Sequence, residues 1–221
     1  MANEFAGTGA YKATSNKGER VVEGVMVFGG GEFDALRVKG ICTSEGPIQA
    51  GRLDVNGVFT AQGNVHADDF ICEGIVTIEG NLRVKKANIE GVTTVQGDKV
   101  EADRIRCGGV LTVGNQLSAD LIEADGFINA REIVGDRIYI RSYRRGGIFN
   151  VLTKVREAFT DLDYSKIDLI EATTIELRGV RAKSVNGQDI KIGPYCVIDR
   201  VDCSGLLEID PGAKVGEVIQ A

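Results

Sequence analysis

The residues best suited to chemistry in this sequence are its single histidine and its five cysteines. His66 precedes Asp68 and Asp69, and an imidazole near a carboxylate can act as a general base. His66 also lies between Val65 and Ala67, and side chains alternate along a strand. If the two apolar residues face inward, the imidazole faces solvent, so we interpret His66 as a surface residue. A single histidine also excludes a metal site built from several histidines of this chain.

The five cysteines occupy apolar positions in segments rich in valine and isoleucine. An odd number without a CxxC pair fits reduced thiols better than a disulfide framework. A nucleophilic thiol would need a basic neighbour, and a metal site would need converging ligands. We therefore predict small core residues, and no catalytic, cofactor-binding or metal site. The cysteines are Cys42, Cys72, Cys107, Cys196 and Cys203.

The charged residues predict a solvated surface. The chain has 221 residues, with 26 Lys+Arg against 32 Asp+Glu and a net charge of -6. A moderately acidic surface argues against general nucleic-acid binding, which needs a basic stripe. Carboxylate pairs lining a cleft would suggest glycoside chemistry, but the charges here are spread along the chain without insertion loops that could form a cleft.

A repeat must position these side chains. Two glycine series with the same ~17-residue period run in phase along the first half of the chain. One extra residue near Asp98–Val100 then shifts the frame, and the first series continues. Two series in phase indicate a repeat architecture. The first series is Gly40, Gly57, Gly74, Gly91, Gly109 and Gly126, and the second is Gly46, Gly63, Gly80 and Gly97.

Between the glycines, apolar residues fall in pairs separated by one residue, such as Leu53 and Val55. Such a pair places both side chains on one face of a strand. Three pairs per repeat predict three short strands per coil, with glycine where a Cβ would obstruct the corner. Coils stacked ~4.8 Å apart would enclose a continuous apolar interior. The predicted fold is all-β, a parallel β-solenoid with ~17-residue coils of triangular cross-section.

The strand pattern is interrupted after Ile140. There the spacing of Ile148, Leu152, Val155 and Phe159 predicts one short amphipathic α-helix, flanked by basic residues. The helix could dock on a side of the solenoid, cap an open end, or lie on an anionic membrane surface, and docking or capping is favoured. The predicted organisation is a flexible tail over 1–19, a solenoid over 20–141, a helical linker over 142–165 and a second, shorter solenoid block over 166–221.

Three features together resemble the bactofilins, the polymer-forming cytoskeletal proteins of bacteria. They are the repeating glycine-cornered coils, the interruption after RSYRRGG, and the segment VNGQDIKIGPYCVIDRVDCSGLLEIDPGAKVGEV. The two-block arrangement is similar to the bactofilin-like proteins of Gram-positive bacteria, and the resemblance covers roughly residues 20 to 221. It implies a right-handed β-helix that self-assembles without nucleotide into filaments or scaffolds. It also implies partners among cell-envelope or membrane-associated proteins.

Self-assembly is expected at the solenoid ends, because an end exposes unpaired backbone groups and the cross-section of the core. The predicted function is therefore a non-enzymatic scaffold whose main partner is itself. Counting back by one full repeat places Val25, Val27 and Phe33 in inward columns of the first coil. The residues predicted to carry end contacts are Val21, Val25, Val27, Phe33, Leu207, Ile209, Val215 and Val218.

The alternative function is that of a left-handed β-helix acyltransferase. A hexad rhythm of that kind is found locally in IGPYCVID and IDPGAKVG. The repeat is one residue short of three hexads, which argues against it, as does the absence of a buried histidine that could act as the base. No apolar run approaches the ~20 residues of a membrane span, and the segment before Val21 lacks a signal-peptide core. A cytoplasmic location is expected, with the predicted helix as the segment that could associate with a membrane.

Overall fold

The computed structural model describes residues 3–5, 8–11, 18–142 and 164–220. Every regular element in these ranges is a β-strand, and the paired strands run parallel in one 21-stranded sheet. The described chain is thus a parallel β-solenoid of about 11 turns, which confirms the predicted all-β, parallel solenoid class. Apart from its end residues, the helix predicted over 142–165 lies outside the described residues.

Long and short strands alternate along most of the chain, because each long strand bends over one corner before a glycine turn leads to a short one. The strands are β1 (Asn3–Phe5), β2 (Thr8–Tyr11), β3 (Glu19–Val22), β4 (Val25–Phe28), β5 (Gly31–Val38), β6 (Ile41–Ser44), β7 (Ile48–Val55), β8 (Val58–Ala61), β9 (Val65–Cys72), β10 (Ile75–Ile78), β11 (Leu82–Ile89), β12 (Val92–Val95), β13 (Lys99–Cys107), β14 (Val110–Val113), β15 (Gln116–Ala124), β16 (Phe127–Arg141), β17 (Ser165–Arg178), β18 (Val180–Ile192), β19 (Val197–Cys203), β20 (Leu207–Ile209) and β21 (Lys214–Gln220).

The apolar pairs stack in register to form the core. Leu53 on β7 pairs with Phe70 on β9, one repeat later, and Phe70 pairs with Ala87 on β11. All three are buried, whereas the residues between the pairs face outward. We call the whole stack the Leu53 column. Its members are Leu36, Leu53, Phe70, Ala87, Ile105, Ile122, Ile138, Ile175, Ile190 and Leu207.

The Leu53 column crosses the predicted interruption without a break. Ile138 on β16 pairs directly with Ile175 on β17, although a longer stretch of chain separates them than separates other neighbours in the column. The two solenoid blocks predicted from the sequence therefore stack on each other in a single ladder.

Glycine marks the corner before each short strand from β6 to β14 because neighbouring turns touch there. A Cβ built on Gly57 would lie 2.0 Å from the carbonyl oxygen of Gly40, and one on Gly74 would lie 2.0 Å from that of Gly57. No side chain fits in this space. None of these glycines has a positive φ, so the requirement comes from stacking and not from the backbone conformation.

The outward side of the short strands forms a surface without charge, which we call the short-strand face. Each short strand places two side chains there, for example Val58 and Thr60 on β8 or Ile75 and Thr77 on β10. From β4 to the start of β16 none of these outward residues is charged. The first residues of the strands stack into an outer apolar column consisting of Val25, Ile41, Val58, Ile75, Val92, Val110 and Phe127.

The prediction for the first coil is wrong in register. Met26, not Val25, pairs with Cys42 and packs against the core, and Phe28 pairs with Ser44. This turn is one residue shorter than the turns that follow it, so counting back by a full repeat slips the assignment by one position. A slip of one residue turns every side chain of a strand to the opposite face. Val25 and Val27 consequently belong to the short-strand face.

Candidate assembly interface

The structure separates His66, which lies on the outer surface, from the five cysteines, which lie in the core. His66 is exposed between the buried Val65 and Ala67, as predicted. It lines a shallow hollow with Glu32 and Asp68 on the outer surface. Within the part of the chain that the structure describes, no group of three or more His, Cys, Asp or Glu residues could hold a metal ion.

The five cysteines are free, buried thiols, which confirms their predicted place in the core. Cys72 pairs with Ile89, which pairs with Cys107, so these two cysteines lie two turns apart in one column. Burial raises the pKa of the Cys42 and Cys107 thiols to about 12. Burial likewise raises the pKa of Cys72 and Cys196. These four groups are neutral at physiological pH and poor nucleophiles.

We expect the native protein to resist alkylation by iodoacetamide at a pH of about 9, and the unfolded protein to react at all five cysteines. Unfolded thiols ionise near this pH, whereas burial raises the pKa of Cys42, Cys72, Cys107 and Cys196 in the folded protein, so stability should also fall as the pH rises above about 9. The matched control is Ile41→Cys, because Ile41 is exposed and adjoins Cys42. Native Cys42 reacting as fast as this control would contradict the assignment.

The charged side chains pair between neighbouring turns. Lys85 Nζ lies 2.8 Å from Asp68 Oδ1, and Lys183 Nζ lies 3.0 Å from Asp168 Oδ1. A group of three charges lies on the outer side of β13 and β15. There Arg104 and Arg106 donate hydrogen bonds to Glu123 Oε2 and hold the pKa of that carboxyl below its usual range. These exposed pairs follow the ladder and contribute little stability individually.

The last described turn of the solenoid has no further turn stacked on it among the described residues. In the described chain, β20 pairs only with β18 and β21 only with β19, so the outer edges of both strands have unpaired backbone groups. Ile192 is buried, but its partner Ile209 is 40% exposed. Val201 is buried, and its partner Val218 is 46% exposed. The interior columns therefore end at solvent here.

The predicted end contacts divide between the two ends of the chain. Leu207, Ile209, Val215 and Val218 all continue interior columns into this last turn. Leu206 beside them is also exposed, and its isolated position in the repeat gave no sequence signal. We call the surface formed by Leu207, Ile209, Val215 and Val218 the C-terminal end face.

The residues predicted to carry amino-terminal contacts do not lie in the first turn of the described ladder. Strands β1 and β2 pair with β3 and β4, so the ladder extends into the segment predicted to be a tail. Val21 is buried, and Phe33 packs against Phe28 with ring centroids 5.7 Å apart. Val25 and Val27 face sideways, as described above. The four residues of the predicted helical stripe, Ile148, Leu152, Val155 and Phe159, lie outside the described residues.

These features define a parallel β-solenoid with an open end and an uncharged side. The comparisons with known proteins add one relative. The chain is 46% identical over 48 residues to the uncharacterized protein YhbE of Bacillus subtilis (strain 168), a match that covers 22% of this chain and 20% of that protein. The chain thus matches only about a fifth of the relative's length. No protein-family model and no solved structure matches the chain.

Proposed function

We propose that this protein is a non-enzymatic structural scaffold of the bactofilin type, which self-assembles without nucleotide through the ends of its solenoid. In this proposal the solenoid is a right-handed β-helix with triangular coils of ~17 residues, as the resemblance implies. The protein's main partner is a second copy of itself. It positions cell-envelope proteins from the cytoplasmic side, and membrane association goes through the predicted helix.

The observation that supports self-assembly is the open C-terminal end face. Backbone N–H and C=O groups of β20 and β21 point away from the ladder, and an unpaired strand edge is a template for pairing with another chain. The exposed Ile209 and Val218 add apolar area at the same place. A second copy stacked on this face would continue both the ladder and the core.

The test is a single charge placed on the C-terminal end face. With Val218→Glu we expect association weaker by about 10-fold or more, because a carboxylate buried without a partner costs well over about 1 kcal/mol. Light scattering over a range of protein concentrations measures the association, and negative-stain electron microscopy in the absence of nucleotide shows the particles. Wild-type protein should form extended assemblies.

The matched control is Val25→Glu, a valine of almost equal exposure that faces sideways on the short-strand face. This variant should assemble like the wild type. Equal losses in the two variants would argue against contact through the ends. A wild-type protein that stays monomeric at every salt and protein concentration would overturn the proposal.

Among the described residues, no helix is long and apolar enough to cross a membrane.

A further inference from the structure

A hollow of about 390 Å³ lies on the outer side of strands β7, β9, β11 and β13. Its lining includes four cations, Arg52, Lys86, Arg104 and Arg106, and one acid, Asp69. Residues 52, 69, 86 and 104 follow one another in register on neighbouring turns. We call this site the basic hollow. Cations predominate in its lining, although the chain as a whole has a net charge of -6.

Two like charges stand on neighbouring turns in the basic hollow, because Lys86 on β11 and Arg104 on β13 are direct partners. At other positions the stacked turns bring opposite charges together, as in the pair of Lys85 with Asp68. Like charges directly opposite each other in a sheet are destabilising. A local arrangement that works against the fold is typical of a site that serves a function, such as binding a ligand.

The cations of the basic hollow also have donor groups that the described residues do not use. Lys86 makes no ion pair with any residue that the structure describes, although Asp69 is its partner on β9. Arg104 Nη2 donates to Glu123 Oε2 (2.7 Å), but the Nε atom of Arg104 is buried and has no acceptor among the described residues. A buried donor without an acceptor is destabilising unless a bound group satisfies it.

The carboxylates around the basic hollow do not neutralise it. Asp54 Oδ2 lies 3.6 Å from Arg52 Nη2, but it also lies 3.5 Å from Arg37 Nε, so this acid is shared. Glu123 is likewise shared by the two arginines of β13. With the acid in the lining, three carboxylates face four cations even when none of them is counted toward Arg37. The local field therefore favours an anion.

We propose that the basic hollow binds an oxyanion, the phosphate or carboxylate group of a ligand. Glu123 shows that the site suits such a group, since one of its carboxylate oxygens accepts from both Arg104 and Arg106. The Nε–H of Arg104 and the ammonium group of Lys86 supply further donors, and charge-assisted hydrogen bonds to oxyanions are strong. An anion between Lys86 and Arg104 would also relieve the repulsion of their like charges. This inference is independent of end-to-end assembly.

The experiment is isothermal titration calorimetry of the full chain with inorganic phosphate and, separately, with acetate, at an ionic strength held constant with sodium chloride. Lys86→Gln should weaken phosphate binding at least ~10-fold, because it removes the cation that has no partner in the protein. Glu123→Gln should strengthen phosphate binding by ~3-fold or more, because an internal carboxylate no longer competes for Arg104 and Arg106. Phosphate binding tighter than acetate assigns a phosphorylated ligand, and equal affinities assign a ligand that carries carboxylates.

The matched control is Lys85→Gln, which removes the same charge from the adjacent residue, whose Nζ atom already lies 2.8 Å from Asp68. It should change the phosphate affinity by less than ~2-fold. Both lysines are exposed, so neither substitution disturbs the core, and circular dichroism verifies the fold of each variant. Equal weakening by Lys85→Gln and Lys86→Gln would overturn the proposal, because phosphate would then respond only to net charge. Failure of both phosphate and acetate to bind would overturn it as well.

Discussion

Replacing Gly74 with alanine is expected to destabilise the solenoid by more than about 2 kcal/mol, toward the upper end of single substitutions. The new Cβ would lie 2.0 Å from the carbonyl oxygen of Gly57, where no atom fits. Backbone atoms cannot move away cheaply, because the N–H of Gly74 donates to Val55 (3.0 Å) and that of Ile75 donates to Gly57 (2.9 Å). Relief of the clash would break these bonds between turns. Guanidinium unfolding followed by circular dichroism measures the loss.

Gly212→Ala is the matched control. Its Cβ would meet only a side-chain oxygen, Asp210 Oδ1, at 3.1 Å and Pro194 Cβ at 3.4 Å, and its φ is not positive. We expect a change of less than about 1 kcal/mol there. If Gly74→Ala were as mild as this control, the close stacking of glycine corners would not be what maintains the turn spacing.

The sequence was sufficient for the parts of the fold that repeat. Pairs such as Leu53 and Val55 predicted the interior columns, because only a period of two places both on one face. The extra residue predicted near Asp98–Val100 is confirmed, since Leu82 pairs with Val65 in the turn before it and with Val100, one position further away in the chain, in the turn after it. The repeat also predicted that the glycines stand where a Cβ would obstruct the corner. The structure adds the contact that excludes the Cβ, which is with a carbonyl oxygen of the neighbouring turn.

The sequence did not predict the places where the structure departs locally from the repeat period. Val25 was assigned inward because one turn is a residue short, and no composition signal marks a shortened turn. Val58 and Val110 are the same residue at the same position of the repeat, yet only one is buried. The open end at Val218 was predicted, because a column that stops must expose its last member.

The contact between Ser142 and Ser165 was also not predicted, since 23 residues separate them in the sequence and only the stacking of turns brings them together. In the preceding turns the ladder supplies the same bonds from the backbone. The N–H of Val110 donates to Gly91, and that of Phe127 donates to Gly109, each at 2.9 Å. At the next turn two side chains make the bonds. Ser142 Oγ donates to the carbonyl oxygen of Gly126, and Ser165 Oγ accepts from the N–H of Ile128.

Ser165→Ala is therefore expected to destabilise the protein by about 1–3 kcal/mol, because it leaves the buried N–H of Ile128 without an acceptor. Ser142→Ala should have a similar effect through the carbonyl of Gly126. The double variant should lose less than the sum of the two single losses, since both remove the shared hydroxyl–hydroxyl bond. Chemical denaturation of all four proteins gives the coupling.

Ser118→Ala on β15 is the control for loss of a hydroxyl group, because Ser118 lies on the outer side of the ladder and is only partly buried. It should change stability by no more than ~0.5 kcal/mol. Strictly additive losses from Ser142 and Ser165 would mean that the hydroxyl groups do not bond to each other in solution. A coupling between Ser142 and Ser165, together with a loss of no more than ~0.5 kcal/mol in Ser118→Ala, would show that the two hydroxyl groups complete the ladder beside Gly126 and Ile128.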